Sequence, residues 1–233
     1  LLCSVPTIEW HYGSSLQKYR ELEGCLQLLL DANILFNIIT DEQVPEMGEG
    51  LLILPDPACL SEQTIEKIMK FRSNRGNLLA VGQPGKYTEE YEEREKPPLI
   101  TSPAGEKDLG EIICLDEFGK RYLENRSEEA LSAMRDTLLY LHNPFVARGL
   151  PRNVVLTAFY RNEKVIIHLM NYENSIKRDV NLELSKELND IQVKTPDEVK
   201  NSHWITYSNG KTRIIIPEIE NYTLITGTLK LPR

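Results

Sequence analysis

The chain contains no apolar run near the roughly 20 residues that cross a bilayer as a helix, so a transmembrane helix is excluded. It has no basic excess: 27 Lys and Arg stand against 35 Asp and Glu, a net charge of −8. Binding nucleic acid needs a basic surface to displace counterions, so no nucleic-acid partner is expected, and no membrane partner either. Phosphate cradles are missing, because neither GxGxxG nor GxxxxGK[ST] follows the first apolar run. Cysteine and histidine are scarce, four of each. Cys3, Cys25, Cys59 and Cys114 show no CxxC spacing and no histidine close enough to complete a zinc pattern. They read as buried free thiols, with no metal and no cofactor expected. The chain opens on Leu1-Leu-Cys-Ser-Val5 with no signal peptide and no Met, so it reads as a fragment whose targeting information would lie upstream. The cysteines leave the redox compartment undecided; a soluble chain is expected, cytoplasmic rather than secreted.

What is present is a core-forming composition, 41% hydrophobic and 27% charged. The stretch Leu51–Gly85 organises it. Leu51-Leu-Ile-Leu54 is an all-apolar strand, Ser61 to about Arg75 an amphipathic helix, and Leu78-Leu-Ala-Val81 a second all-apolar strand. That is a βαβ unit, and strands apolar on both faces belong inside a parallel sheet covered on both sides. Ser61 is the expected N-cap, Leu60 and Ile65 a hydrophobic staple, and Gly76 the C-terminal glycine. Leu1–Val5 and Ile34–Ile39 read as two further strands, with a helix over Leu16–Ala32 between them and Asn33 as its cap. Glu111–Cys114 reads as a short strand and Glu128–Leu141 as a helix stopped by His142-Asn-Pro144. The acidic run Thr88–Pro98 reads as a solvated face.

From Pro151 the period changes to strand only. Seven short segments follow, separated by turn signals of which Asn209-Gly210 is the strongest hairpin dipeptide. The expected architecture is α/β: a flavodoxin-like doubly wound parallel sheet over 1–149 and a smaller all-β sandwich over 150–233. In such sheets ligands bind at the carboxyl ends of the strands. The loop Pro6–Ser15, with Glu9, Trp10, His11 and Tyr12 side by side, is therefore the candidate ligand loop, joined by Asp56 and Gln83 from the other strand ends. Packing of Trp10 and Tyr12 onto the body explains the same residues without a ligand. On the strand Trp204–Ser208, Trp204 and Tyr207 could stack on a sugar, although alternation expects one in the core and one exposed.

The order Leu28-Leu-Leu-Asp-Ala-Asn-Ile-Leu-Phe-Asn37, Leu51-Leu-Ile-Leu-Pro-Asp-Pro-Ala-Cys-Leu-Ser61, then Phe71 through Gly82, resembles the β-galactosidase trimerisation domain of glycoside hydrolase family 42. Val165-Ile-Ile-His-Leu-Met-Asn-Tyr172 looks like a strand of the C-terminal β-domain in such hydrolases. The resemblance implies a glutamine-amidotransferase-like fold, a homo-oligomer (a trimer), and an upstream (β/α)8 barrel carrying two catalytic carboxylates; no such barrel can be read in these residues. The amidotransferase superfamily also implies a Cys–His–Glu triad with its cysteine on the turn after the strand ending at Gly82, where Gln83-Pro-Gly85 stands instead. Cys59, near a helix N-terminus, is the one thiol that could replace it.

Three functions follow. The first is a non-catalytic, β-galactosidase-like glycoside hydrolase region serving oligomerisation and barrel support. The second is a stand-alone carbohydrate-binding protein using the loops at the strand ends. The third is a hydrolase using Cys59.

Overall fold

Strand β1 (Leu51–Pro55), helix α3 (Glu62–Ser73) and strand β2 (Asn77–Val81) form the expected parallel βαβ unit, with Leu51 opposite Asn77 and Pro55 opposite Val81. The computed structural model describes residues 1–12, 19–45, 50–99, 109–141, 147–151, 153–161, 163–196 and 203–230. Its described residues group into two compact units, one of 1–28 and 36–143, the other of 29–35 and 144–233.

In the first unit β3 (Ile112–Leu115) continues the sheet beside β2. Two expected strands shrink to isolated bridges. Leu2 forms an isolated parallel bridge with Ile39, and its amide donates to Ile53 at 2.9 Å. Those contacts set the lateral order Ile39, Leu2, β1, β2, β3, the 2-1-3-4-5 order of flavodoxin-like sheets. The segment after Leu2 is not the expected loop. Helix α1 (Val5–His11) starts at once, with Pro6 in its first turn, where a missing N–H costs nothing. The Val5 amide donates to the Asp41 carboxylate at 2.7 Å. Helix α2 is described over Arg20–Asp31; its expected start at Leu16 and the His142-Asn-Pro144 stop lie outside the described residues. Helix α4 (Gly119–Glu124) was not expected, and helix α5 (Glu128–Leu141) matches its expected range.

Leu52, Leu54, Leu78 and Ala80 pack against Ile65, Ile68 and Phe71 of α3. Ile53, Leu79 and Val81, on the alternate face, are buried too, as a sheet covered on both sides requires. The Ser61 side chain accepts from the Thr64 amide at 3.1 Å, the expected cap. The other end of α3 differs from expectation. The amides of Gly76 and Arg75 donate to Phe71 and Arg72, a Schellman pair that places Arg75, not Gly76, in the left-handed position at φ 69. Gly76 is required for another reason: a Cβ there would lie 2.3 Å from the Phe71 ring. Because Arg75 is exposed, Arg75→Gly should raise stability by about 0.5–1 kcal/mol, read as a higher urea midpoint at unchanged slope. No rise would mean that the strain is already relieved.

The second unit pairs two four-stranded antiparallel sheets. One runs β4 (Ala147–Arg148), β7 (Lys177–Leu184), β10 (Lys211–Ile219), β9 (Trp204–Ser208); the other β5 (Val154–Arg161), β6 (Lys164–Asn171), β11 (Tyr222–Leu229), β8 (Leu188–Lys194). Inward residues such as Leu156, Ile167, Leu182, Ile214 and Ile225 form one core. Asn209 and Gly210 both take positive φ, 53° and 72°, as the tight β9–β10 hairpin needs. Trp204 and Tyr207 correct the alternation estimate. Both are exposed, at 58% and 50%, because among the described residues β9 is the edge strand of its sheet and only β10 flanks its side chains.

Candidate functional site

The sheet order places its reversal between Leu2 and β1, so the crevice beyond their carboxyl ends is where a ligand site is expected. A cavity of about 20 Å³ opens there, lined by Ser4, Thr7, His11, Tyr19, Asp56 and apolar neighbours. That is room for about one water molecule and not for a sugar ring.

The polar groups around it hold one another. Thr7 Oγ1 donates to the Cys59 carbonyl at 3.0 Å and accepts from the Cys59 amide at 3.0 Å, while Ser4 Oγ donates to the same carbonyl at 3.0 Å. Tyr19 donates to the Ile8 carbonyl at 3.0 Å, and its ring meets the His11 ring edge-on at 5.8 Å. Asp56 sits at φ 52, and its carboxylate accepts from the Gln83 amide at 3.2 Å, closing the turn after β2. Gly82 is obligatory there, since a Cβ would lie 2.3 Å from Asp56 Oδ1.

Glu9, Trp10 and His11 therefore lie on α1, and Tyr12 is the residue that ends it. Trp10 stacks on Tyr87 at 5.2 Å between centroids and meets Tyr91 at 4.9 Å, so it joins α1 to the loop after β2. Tyr12 is 88% exposed, and the Glu9 and Gln83 side chains are exposed too. Asp56 and Gln83 are brought together, His11 and Asp56 line one cavity, and Glu9 and Tyr12 stay outside it.

Two positioning residues escaped the sequence reading. Arg94, inside the acidic run, is not solvated. Its guanidinium donates to the carbonyls of Gly85, Tyr87 and Leu60 at 2.9, 2.5 and 2.9 Å and to the Glu62 carboxylate at 2.6 Å. It clasps the loop after β2 to the start of α3. Glu21 is buried and accepts from the amides of Phe118 and Lys120, at 2.5 and 2.8 Å, capping α4 from a distant helix. Neither pairing has a local signal, because the partners lie 32 and 97 residues away.

The thiols are not activated. Burial pushes the Cys59 thiol up to about 11, against the smaller opposing pull of Arg94, and burial raises Cys25 as well. Cys114 is exposed and Cys3 half-buried, which corrects the expectation that all four are buried; all four are free. At pH 7.5 Cys59 should resist iodoacetamide in the folded chain and react only on unfolding. Rapid alkylation under native conditions would restore it as a nucleophile. Among the described residues no group of three or more His, Cys, Asp or Glu side chains is placed to hold a metal ion. No described helix is long and apolar enough to cross a membrane.

No family model and no curated protein matches the chain. Solved structures do. α-L-Fucosidase isoenzyme 2 from Paenibacillus thiaminolyticus superposes with a TM-score of 0.62 at 16% identity, covering 91% of this chain and 45% of its own. β-Galactosidase from Bacillus circulans sp. alkalophilus gives 0.56 at 9%, covering 89% and 37%. A family 42 β-galactosidase from G. stearothermophilus gives 0.53 at 12%, covering 93% and 37%. The chain thus spans less than half the length of these proteins. What they share with it is a fold, an α/β parallel sheet followed by a second, β-rich domain.

Proposed function

We propose that this chain is a non-catalytic region of a β-galactosidase-like glycoside hydrolase that supports a catalytic barrel and joins subunits into a trimer. One observation carries the reading: the likeness covers about nine-tenths of this chain and less than half of each glycosidase. The crevice supports it. Glycoside hydrolysis needs two carboxyl groups facing each other across a sugar, and this crevice has room for about one water with Asp56 engaged to a backbone amide. The Cys59 thiol, raised to about 11, supports it against amidotransferase-like chemistry. The reading as a stand-alone sugar binder at the strand ends loses ground, since Tyr87 and Tyr91 already pack on Trp10.

Sedimentation equilibrium of the purified 233-residue chain tests the assembly role, with a trimer expected at micromolar concentration. A monomer throughout would overturn that role. Turnover of an aryl β-galactoside by the same sample would overturn the non-catalytic part.

A further inference from the structure

The sheet β4-β7-β10-β9 of the second unit turns an unusual face to solvent. Register places Trp204 opposite Ile215, and Ile215 opposite Asn181, in one row across three strands. The next row on the same face is Thr206, Arg213, Glu183 and Arg148. Trp204 and Arg213 are diagonal neighbours, whose Cα atoms stand about 7–8 Å apart. The indole is 58% exposed and makes no ring contact among the described residues.

Charge on this face departs from that of the chain. Lys211 donates to Glu183 at 2.9 Å, and Arg148, Arg213 and Lys211 all act on that carboxyl to hold it below its ordinary range. Three cations thus surround one carboxylate in a chain whose net charge is −8. Further along the sheet Arg178 and Glu218 form an ion pair at 3.8 Å and Asp179 is exposed on β7, so Arg148, Arg178, Lys211 and Arg213 outnumber Asp179, Glu183 and Glu218 by one. Arg213 Nε donates to Asn181 Oδ1 at 2.6 Å. That bond fixes the guanidinium plane, and its two terminal nitrogens meet no acceptor among the described residues.

A flat indole, a fixed guanidinium with donors to spare and a local positive surplus match an acidic sugar. A pyranose offers an apolar C–H face to an aromatic ring and polar groups around its edge. A carboxylate is what a guanidinium fork recognises. We propose that this face binds a uronate-bearing oligosaccharide, one ring lying on Trp204 and its carboxylate held by Arg213. An acidic peptide fits less well. The cost of ordering a flexible backbone would fall on a single aromatic contact. The inference goes beyond the proposed function and stands on the second unit alone.

Calorimetry of the full chain at low ionic strength tests it, with trigalacturonate, a neutral galactotriose and hexaglutamate as probes. Trigalacturonate is expected to bind at least about tenfold more tightly than the other two. Trp204→Ala and Arg213→Ala should each weaken it by about tenfold, with Trp204→Tyr and Arg213→Lys losing less. Both side chains are exposed, so the fold should survive, as a thermal scan would verify. Tyr207→Ala is the control. It lies on the same edge opposite buried Thr212, on the other side of the strand, and should leave affinity unchanged. No heat with trigalacturonate, equal binding of the neutral trisaccharide or of hexaglutamate, or an unchanged Trp204→Ala would each overturn the proposal.

Discussion

Gly24→Ala should destabilise the first unit by about 3 kcal/mol or more, a shift of about 10 °C in its Tm. Helices α2 and α4 cross with their backbones touching at Gly24 and Gly119. A Cβ on Gly24 would fall 2.0 Å from the Gly119 carbonyl oxygen, and one on Gly119 would fall 2.4 Å from the Cys25 amide and the Glu21 carbonyl. Backbone cannot swing aside as a flexible side chain can, so the helices must separate. Separation would also pull Glu21 from the α4 amides that it caps. Set against a typical domain stability of about 5–15 kcal/mol, this one methyl group removes a large part. Gly50→Ala is the control: a Cβ there meets nothing within 4 Å, and the change should stay within about 0.5 kcal/mol. A Gly24→Ala chain melting with the parent would show that the crossing relaxes freely.

Arg94→Ala is the second large effect, about 3 kcal/mol. The guanidinium satisfies three carbonyls while its side chain is only 13% exposed, so truncation strands acceptors where little water reaches them. The ion pair with Glu62 adds little, because that carboxylate is 75% exposed. Arg94→Lys should recover only a small part, since a point ammonium cannot span acceptors arranged for a planar fork. Loss of the clasp should also free Tyr87 and Tyr91 from Trp10, shifting tryptophan emission to the red before global unfolding. A variant within 0.5 kcal/mol of the parent and with unchanged emission would show that the loop holds itself.

Together these residues explain why the crevice is a packed joint. Thr7, Ser4, Asp56 and Arg94 spend their hydrogen bonds tying α1, the loop after β1 and the loop after β2 to one another. Composition and place in the chain put six candidate ligand residues at the carboxyl ends of the strands, but they cannot say which polar groups are already engaged.

Local signals were enough for the elements that local physics builds. The all-apolar runs Leu51–Leu54 and Leu78–Val81, the Ser61 cap, the α5 stripe and the Asn209-Gly210 hairpin all act within a few residues, and the structure keeps each of them. Helix α1 was hidden because seven residues are too few for a 3.6-residue period to show, and Ser4, where a cap belongs, gives its hydroxyl to Cys59 instead. The expected strand Leu1–Val5 is longer than the pairing observed at Leu2 for a related reason: an apolar run shows that a segment is buried, but not how many of its residues the sheet pairs. Partners distant in sequence were decided by the tertiary structure alone. It set Gly24 on Gly119, Glu21 on α4, Arg94 across two loops and Trp204 outward on an edge. Each depends on which surfaces meet after the chain has crossed the sheet, and no window of neighbouring residues carries that information.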